Sequence, residues 1–482
     1  MTHEFEPWVI AESGRLTIGA VVQSNVQCNL VLPPWDSGEL KAEFSWRGRN
    51  VPLTGFGIFE HPAPRRRAKA NWQVRMSEIH IHRTGAKGLE RVRPCFAKGL
   101  VGNLELIRQL STESPTGRTS VHFVLTPNRM LEPTVRFNPS PGGGCKSETR
   151  DVIRVRVPSL GTISFRHLYD WDASTDHRVM RSKSYLVARV STATPAAGTK
   201  VLESESLPVL EDLLLLAGFA SRIPTRCAGW IASDRRNRVH YFRRQLRLPA
   251  GEQRHETIVN GGMVELGDFE RFLNACIVPL RASTYLLHMR SAFYALENAR
   301  RHSVERKLVS LFSAFEGLVN EITAKRSSER FSVDRPLRKQ ATERVKAVFD
   351  GWVDDGSLTA EVGAQLMVQL GKAQSISRRE QYRLLQEAVP FEMEDLWPLV
   401  GRKGVKSLYD IRNAIAHGSA MSPSRFHALV AAGHHIEWLL ERLICAILGW
   451  SLEDTDLSSS ELRSYWLSQT CDWRLAEKGF GE

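Results

Sequence analysis

Apolar and polar residues alternate with a period near two over the front of the chain and with a period near 3.6 after Gly261-Gly262. The front pattern predicts strands over 15–22, 26–32, 40–46, 73–82, 120–125, 152–157, 162–166 and 184–190. Turn chemistry separates them at Pro33-Pro34, Asp36-Ser37-Gly38, Gly55, Pro62, Pro64 and Pro139-Ser140-Pro141-Gly142-Gly143-Gly144. Many short strands so punctuated predict a sandwich or a distorted barrel.

A helix is expected over 207–220, with Pro208 in its first turn, followed by a strand pair over 227–231 and 239–242. Helical spacing then runs over 269–299, interrupted at Pro279, and over 304–322. Apolar residues of the second stretch, at 304, 308, 311, 312, 315, 318, 319 and 322, keep the i, i+3/i+4 spacing of one buried stripe. Shorter helices are expected over 342–349, 360–370 and 380–388, and one over 405–416 ended by Gly418. Ser422 can cap a last helix that has Pro423 at its first position and runs to about residue 448. The fold class predicted is multidomain α+β: a β-rich region over 1–195, a mixed α/β connection over 196–262, an all-α bundle over 263–450 and a tail over 451–482.

Charge adds a partner class. The 482 residues carry a formal net charge of +12, which favours an anionic partner, nucleic acid first. The densest basic stretch is 234–247, with Arg235, Arg236, Arg238 and Arg243 as candidate RNA contacts; a charged guard on an edge strand is the equal alternative. Arg65-Arg66-Arg67-Ala68-Lys69 is a second basic run, most simply a solvated loop. The seven cysteines are scattered, with no CxxC pair, and read as reduced thiols. No apolar run of membrane-spanning length and no signal-peptide pattern occurs, so the protein is expected in the cytoplasm, away from membranes.

Two weaker motifs are set aside. His80 and His82 share a strand face, but no third ligand follows, so a solvated face is the preferred reading and no metal is expected. Pro141-Gly142-Gly143-Gly144-Cys145-Lys146 lacks the GxxxxGK[ST] pattern and reads as a hairpin tip. No cofactor motif is present.

The chemistry concentrates in Asp410-Ile411-Arg412-Asn413-Ala414-Ile415-Ala416-His417-Gly418. A structural reading makes Arg412 an ion-pair partner, Asn413 a cap and His417 a helix-end residue favoured by the dipole. A catalytic reading uses the same groups on a phosphodiester. Arg412 and His417 stand about 140° apart on an ideal helix, so one helix presents an incomplete site. Two copies face to face supply two His and two Arg to one phosphate. Cleavage by an RNA 2′-OH requires a base, an acid and cationic stabilisation of the developing charge, which these groups provide without metal.

This stretch resembles the Rx4–6H signature of HEPN ribonuclease domains, with Asn directly after the Arg. The helix containing Ser313-Ala314-Phe315-Glu316-Gly317-Leu318-Val319 resembles their upstream helix, whose acid approaches the Arg–His pair. The layout, a large β-rich region before a helical bundle, is similar to the Apea-like HEPN proteins of bacterial anti-phage defence. The resemblance implies a HEPN bundle over roughly 300–450, a homodimer or higher homo-oligomer with a composite cleft, and metal-independent RNA cleavage with no cofactor. It makes Arg412 and His417 catalytic, Asn413 an orienting group and Glu316 a supporting acid. Abortive infection follows as the expected role, with RNA (tRNA among the candidates) as substrate and the front region sensing a phage-derived trigger. Arg378 and Arg379, in the insertion between the two signature helices, are candidate RNA contacts; a solvated helix face is the default. The alternatives are a non-catalytic HEPN module for dimerisation or nucleotide binding, and a DNA-targeting defence protein.

Overall fold

A computed structural model describes residues 9–18, 21–31, 40–48, 55–60, 72–86, 93–109, 120–139, 145–150, 152–158, 160–173, 180–191, 199–233, 237–243, 262–299, 301–331, 335–373, 377–401, 405–418, 425–462 and 474. The chain forms two compact units, Met1–Val278 and Pro279–Glu482.

The strands of the first unit are β1 (Val9–Ile18), β2 (Val21–Val31), β3 (Lys41–Gly48), β4 (Gly55–Glu60), β5 (Trp72–Ala86), β6 (Arg93–Leu100), β7 (Asn103–Gln109), β8 (Ser120–Leu125), β9 (Thr134–Pro139), β10 (Cys145–Arg150), β11 (Arg154–Val157), β12 (Gly161–Ala173) and β13 (Met180–Ser191). Helix α1 (Thr199–Ser221), β14 (Cys227–Ser233), β15 (Asn237–Arg243) and α2 (Phe269–Ala282) follow. Thirteen strands make one antiparallel sheet in the order β11-β12-β13-β8-β14-β15-β7-β5-β4-β1-β2-β3-β6. The front is therefore β-rich, as its alternation requires, and β14 and β15 sit inside the same sheet.

The long strand β5 closes part of this sheet on itself. Its first half pairs with β7 and its second half with β6, which also pairs with β3. Strands β5-β4-β1-β2-β3-β6 thus form a closed six-stranded barrel. Its interior holds the inward alternate residues, among them Leu16, Val26, Leu30, Phe44, Phe59, Val74 and Ile79, all buried. Closure removes strand edges that otherwise invite pairing with other chains. Bulges supply the curvature: Asn25 and Glu78 take φ 55 where the β1–β2 and β4–β5 registers shift. At Gly14 a Cβ would stand 2.6 Å from the Phe59 ring, so only glycine fits beneath it.

Several expected boundaries move. Residues 15–22 straddle two strands, because β1 and β2 pair Ile18 with Val21 across a two-residue connection. Local apolarity continues through that hairpin, so the pattern conceals the reversal. Strands β9 and β10 pair Pro139 with Cys145, the hairpin expected about residue 141; the tip at 140–144 and the basic run at 65–69 lie outside the described residues. Helix α1 starts eight residues earlier than expected, which puts Pro208 inside it. Burial of Leu210, Leu213, Leu214 and Leu216 against the sheet outweighs the hydrogen bond a proline removes. The buried Asn128 amide ties the end of α1 to the β8 exit, donating to Ser221 Oγ (2.9 Å) and Thr225 Oγ1 (2.7 Å).

The second unit is helical: α3 (Leu286–Ala299), α4 (Val304–Phe331), α5 (Arg335–Asp354), α6 (Ala360–Ala373), α7 (Arg378–Ala388), α8 (Leu408–Ala416) and α9 (Phe426–Leu448). The break near Pro279 falls later, after Ala282, where Ser283 Oγ accepts from the Tyr285 N–H (3.1 Å). Helix α4 packs against α3, α7, α8 and α9, so its predicted stripe, from Leu308 to Ile322, is buried. Helix α9 is buried almost all round and ends at Gly449 (φ 71). The Ser422 cap and Pro423 lie outside the described residues; the described helix begins at Phe426. Fully buried Arg442 is satisfied by both Asp395 oxygens (2.6 and 2.8 Å) and by the carbonyls of Glu392 and Leu457. Among the described residues no helix is long and apolar enough to cross a membrane.

Candidate functional site

The position of α8 is set before its chemistry begins. Ser407 and Asp410 make a reciprocal capping box: Ser407 Oγ accepts from the Asp410 N–H (3.2 Å), and Asp410 Oδ2 accepts from the Ser407 N–H (3.0 Å). Backbone bonds from Leu408 to the Pro398 carbonyl and from Tyr409 to the Leu399 carbonyl pin the first turn. Leu408 and Ile411 are buried beneath it. The far end closes at His417, whose N–H donates to the Asn413 carbonyl, and at Gly418, whose φ of +73 stops the helix. The helix is anchored at one end and open to solvent at the other.

Arg412 leaves α8 toward α4. Its Nη2 lies 3.4 Å from Glu316 Oε2, its Nη1 donates to Asn413 Oδ1 (2.9 Å), and its guanidinium stands 5.9 Å from the centre of the Phe312 ring. Glu316 is 13% exposed and Arg412 26%, so the pair is largely withdrawn from water. The structure brings together Arg412, Asn413 and Glu316. His417 is exposed at the helix end and makes none of these described contacts, as the 140° between the two positions requires.

The segment between α4 and α8 supplies the rest. Arg378, at the start of α7, places Nη2 2.9 Å from Glu316 Oε1 and its guanidinium 5.4 Å from the centre of the Tyr409 ring. Two guanidiniums on separate helices therefore share one carboxylate, and the cluster keeps a net positive charge. Gln381 Oε1 accepts from Arg378 Nη1 (2.9 Å), and the Gln381 amide donates to Asn320. Tyr382 is buried beside Phe315, and its hydroxyl has no hydrogen-bond partner among the described residues. Burial pushes the Tyr382 phenol up, so it stays protonated.

The other candidate contacts separate. Arg379 is exposed on α7. Arg243 pairs with Glu211 of α1 (2.8 Å), while Arg238 lies on the other face of the sheet by register. Arg235 and Arg236 lie outside the described residues. His80 is exposed on β5, and the His82 side chain lies outside them too. Sequence reading missed Tyr382 and Tyr409. The signal was the i, i+4 spacing of Arg378 and Tyr382, which puts both on one face of α7.

The arrangement offers two cations, a carboxylate, a buried phenol and an exposed imidazole within one helical unit. It suits an anionic, phosphate-bearing ligand. Neither a protein-family model, nor a curated protein, nor a solved structure matches this chain.

Proposed function

We propose that the protein is a HEPN-type endoribonuclease of anti-phage defence, acting by abortive infection, with a composite site formed by two copies of the helical unit. The observation that carries this reading is the Arg412–Glu316 pair, joining the α8 motif to the upstream helix. Exposure of His417 at the open end of the same helix supports a site completed by a second copy.

In this mechanism one His417 imidazole takes the proton from an RNA 2′-OH, which attacks the adjacent phosphorus. The second His417 protonates the departing 5′-oxygen, leaving a 2′,3′-cyclic phosphate. Arg412 from each copy stabilises the charge that gathers on the non-bridging oxygens. Asn413 holds the Arg412 fork, and Glu316 orients it from behind. The β-rich unit is assigned the sensing or restraining role, with a phage-derived trigger.

Purified wild type is expected to cut labelled RNA but not DNA, in EDTA as well as without it. His417→Ala and Arg412→Ala should each abolish cutting while far-ultraviolet circular dichroism stays unchanged. Undiminished cutting by both variants rejects the site; dependence on added metal rejects the mechanism.

A further inference from the structure

The sheet of the first unit carries a second basic feature, built from residues other than the 410–418 motif. Register places Arg154 opposite Ser164, Ser164 opposite Arg189, Arg189 opposite His122, and His122 opposite Ile231. These residues form a row running across β11, β12, β13, β8 and β14 on one face. One row to one side, Arg156 faces Thr162, while Ser120 faces Ser233 and Ser233 faces Arg238. To the other side, Arg166 faces Val187, which faces Val124, where the surface turns apolar and joins the barrel core.

The opposite face is apolar throughout this region. Val155, Ile163, Phe165, Ala188, Val190, Val121 and Phe123 are all buried there. The alternation thus makes a sheet that is apolar on one side and carries guanidiniums, hydroxyls and an imidazole on the other.

An ordinary solvated face mixes both signs of charge. Here the described side chains of the face across β11, β12, β13 and β8 include Arg154, Arg156, Arg166 and Arg189, and no carboxylate. Burial and the Arg189 and Arg154 charges both disfavour the charged form of Arg166. Burial, then Arg189, Arg238 and Arg166, hold His122 down at about 4, so it is neutral at pH 7. Gathered like charges cost folding energy, and an anion lying across them relieves that cost. Arg154, Arg156 and Arg166 are exposed and reachable. Guanidiniums with interleaved hydroxyls are the groups that hold phosphate and sugar oxygens.

We propose that this face of β11, β12, β13 and β8 binds the phosphate backbone of a nucleic acid, independently of its sequence. Charge complementarity selects a polyanion, and the extent of the arginine rows over several adjacent strands, each about 4.8 Å from the next, suits a run of phosphates rather than one. The proposal does not depend on the ribonuclease reading.

The test measures fluorescence anisotropy of labelled single-stranded RNA and DNA over a salt series, with the full chain carrying His417→Ala so that RNA persists. Replacing Arg154, Arg156 and Arg166 together by Gln should weaken binding at least tenfold and reduce the salt slope by about 2, at roughly 0.7 for each phosphate no longer neutralised. Lys at the same three positions should keep most of the slope, which a merely structural role does not predict. Arg412→Ala added to the His417→Ala chain should take away no more than the roughly 0.7 of slope that one phosphate contact contributes, leaving the larger loss to the Gln variant. Equal affinity and slope for the Gln variant overturn the proposal, as does a chain that binds neither RNA nor DNA. Binding lost through Arg412→Ala alone assigns the nucleic acid to the helical site and also overturns it. Loss of RNA binding with DNA binding kept would mean that the face reads the 2′-hydroxyl and not the phosphate backbone, and overturns the proposal.

Discussion

Arg412 Nη2 stands 3.4 Å from Glu316 Oε2, and this pair joins two helices whose contacting residues are 96 positions apart in the chain. Because Arg378 takes the other oxygen of the same carboxylate, Glu316 is the residue on which both cations depend.

Glu316→Ala is therefore expected to leave two guanidiniums facing each other without a shared anion. Stability should fall by about 2 kcal/mol, less than for a fully buried pair because both arginines are partly solvated. Glu316→Gln should recover part of the loss by accepting one hydrogen bond. Urea unfolding of the three proteins measures this; equal midpoints would show that the carboxylate holds neither arginine.

Tyr382→Phe deletes a buried hydroxyl that has no partner among the described residues. The expected outcome is a melting temperature unchanged or raised, equivalent to as much as about 1 kcal/mol. A clear loss of stability would mean that the hydroxyl is engaged. Wild-type stability with reduced RNA cleavage would place it on the substrate.

Arg442 and Asp395 form the most enclosed ion pair among the described residues of the helical unit, and removing one partner strands a charge in the core. Arg442→Met should cost about 3–5 kcal/mol. Burial pushes the Asp395 carboxyl up, but hydrogen bonds and charge from Arg442 outweigh it and hold the group below its ordinary value of 3.8. A depressed carboxylate stabilises the fold above its unfolded pKa and loses that contribution as pH falls through the folded one. Acid unfolding of wild type should therefore deepen below about pH 4, a component missing from Asp395→Asn.

His122 gives the first unit its own acid sensitivity. Its ordinary value of 6.5 is lowered to about 4, so the unfolded chain takes up a proton first as pH falls. Stability should decline between about pH 6.5 and 4, by as much as roughly 3 kcal/mol. His122→Gln should flatten that part of the profile. A wild-type profile flat from about pH 7 to about pH 4.5 would contradict the environment described for this ring.

Gly418 takes φ +73 at the end of α8, where an L-residue with a Cβ is strained. Gly418→Ala should cost about 1 kcal/mol, and Gly418→Asn less, since Asn tolerates the left-handed region. Thermal melting of the two variants distinguishes backbone strain from a packing effect, because among the described residues no neighbouring atom lies within 4 Å of an added Cβ.

Much of this was legible along the chain, for local reasons. Period two marked the strands and period 3.6 the buried stripe of α4, because burial of one face imposes those repeats on any sequence. Gly418 marked a helix end because few residues adopt its backbone conformation. Arg412 and Asn413 stood out as adjacent groups of one short motif, and Glu316 only through the helix that the chain resembles. The hairpin at Ile18–Val21 was not, because apolar residues continue through it. The start of α1 was not, because a proline that usually opens helices lies inside one held by its leucine face.

What the sequence determined by itself is therefore the sheet-then-helices order, the basic character and the identity of the groups at 410–418. The tertiary structure decided which of those groups meet. It closed six strands into a barrel through the two-sided pairing of β5, and it set the arginines of β11, β12 and β13 beside His122 of the distant strand β8 on one sheet face. It also brought Arg378 of α7 to the carboxylate already held by Arg412, while leaving His417 exposed. The reason is physical: periodicity is a property of each element alone, whereas strand register and helix packing depend on residues distant in sequence, whose proximity no local pattern encodes.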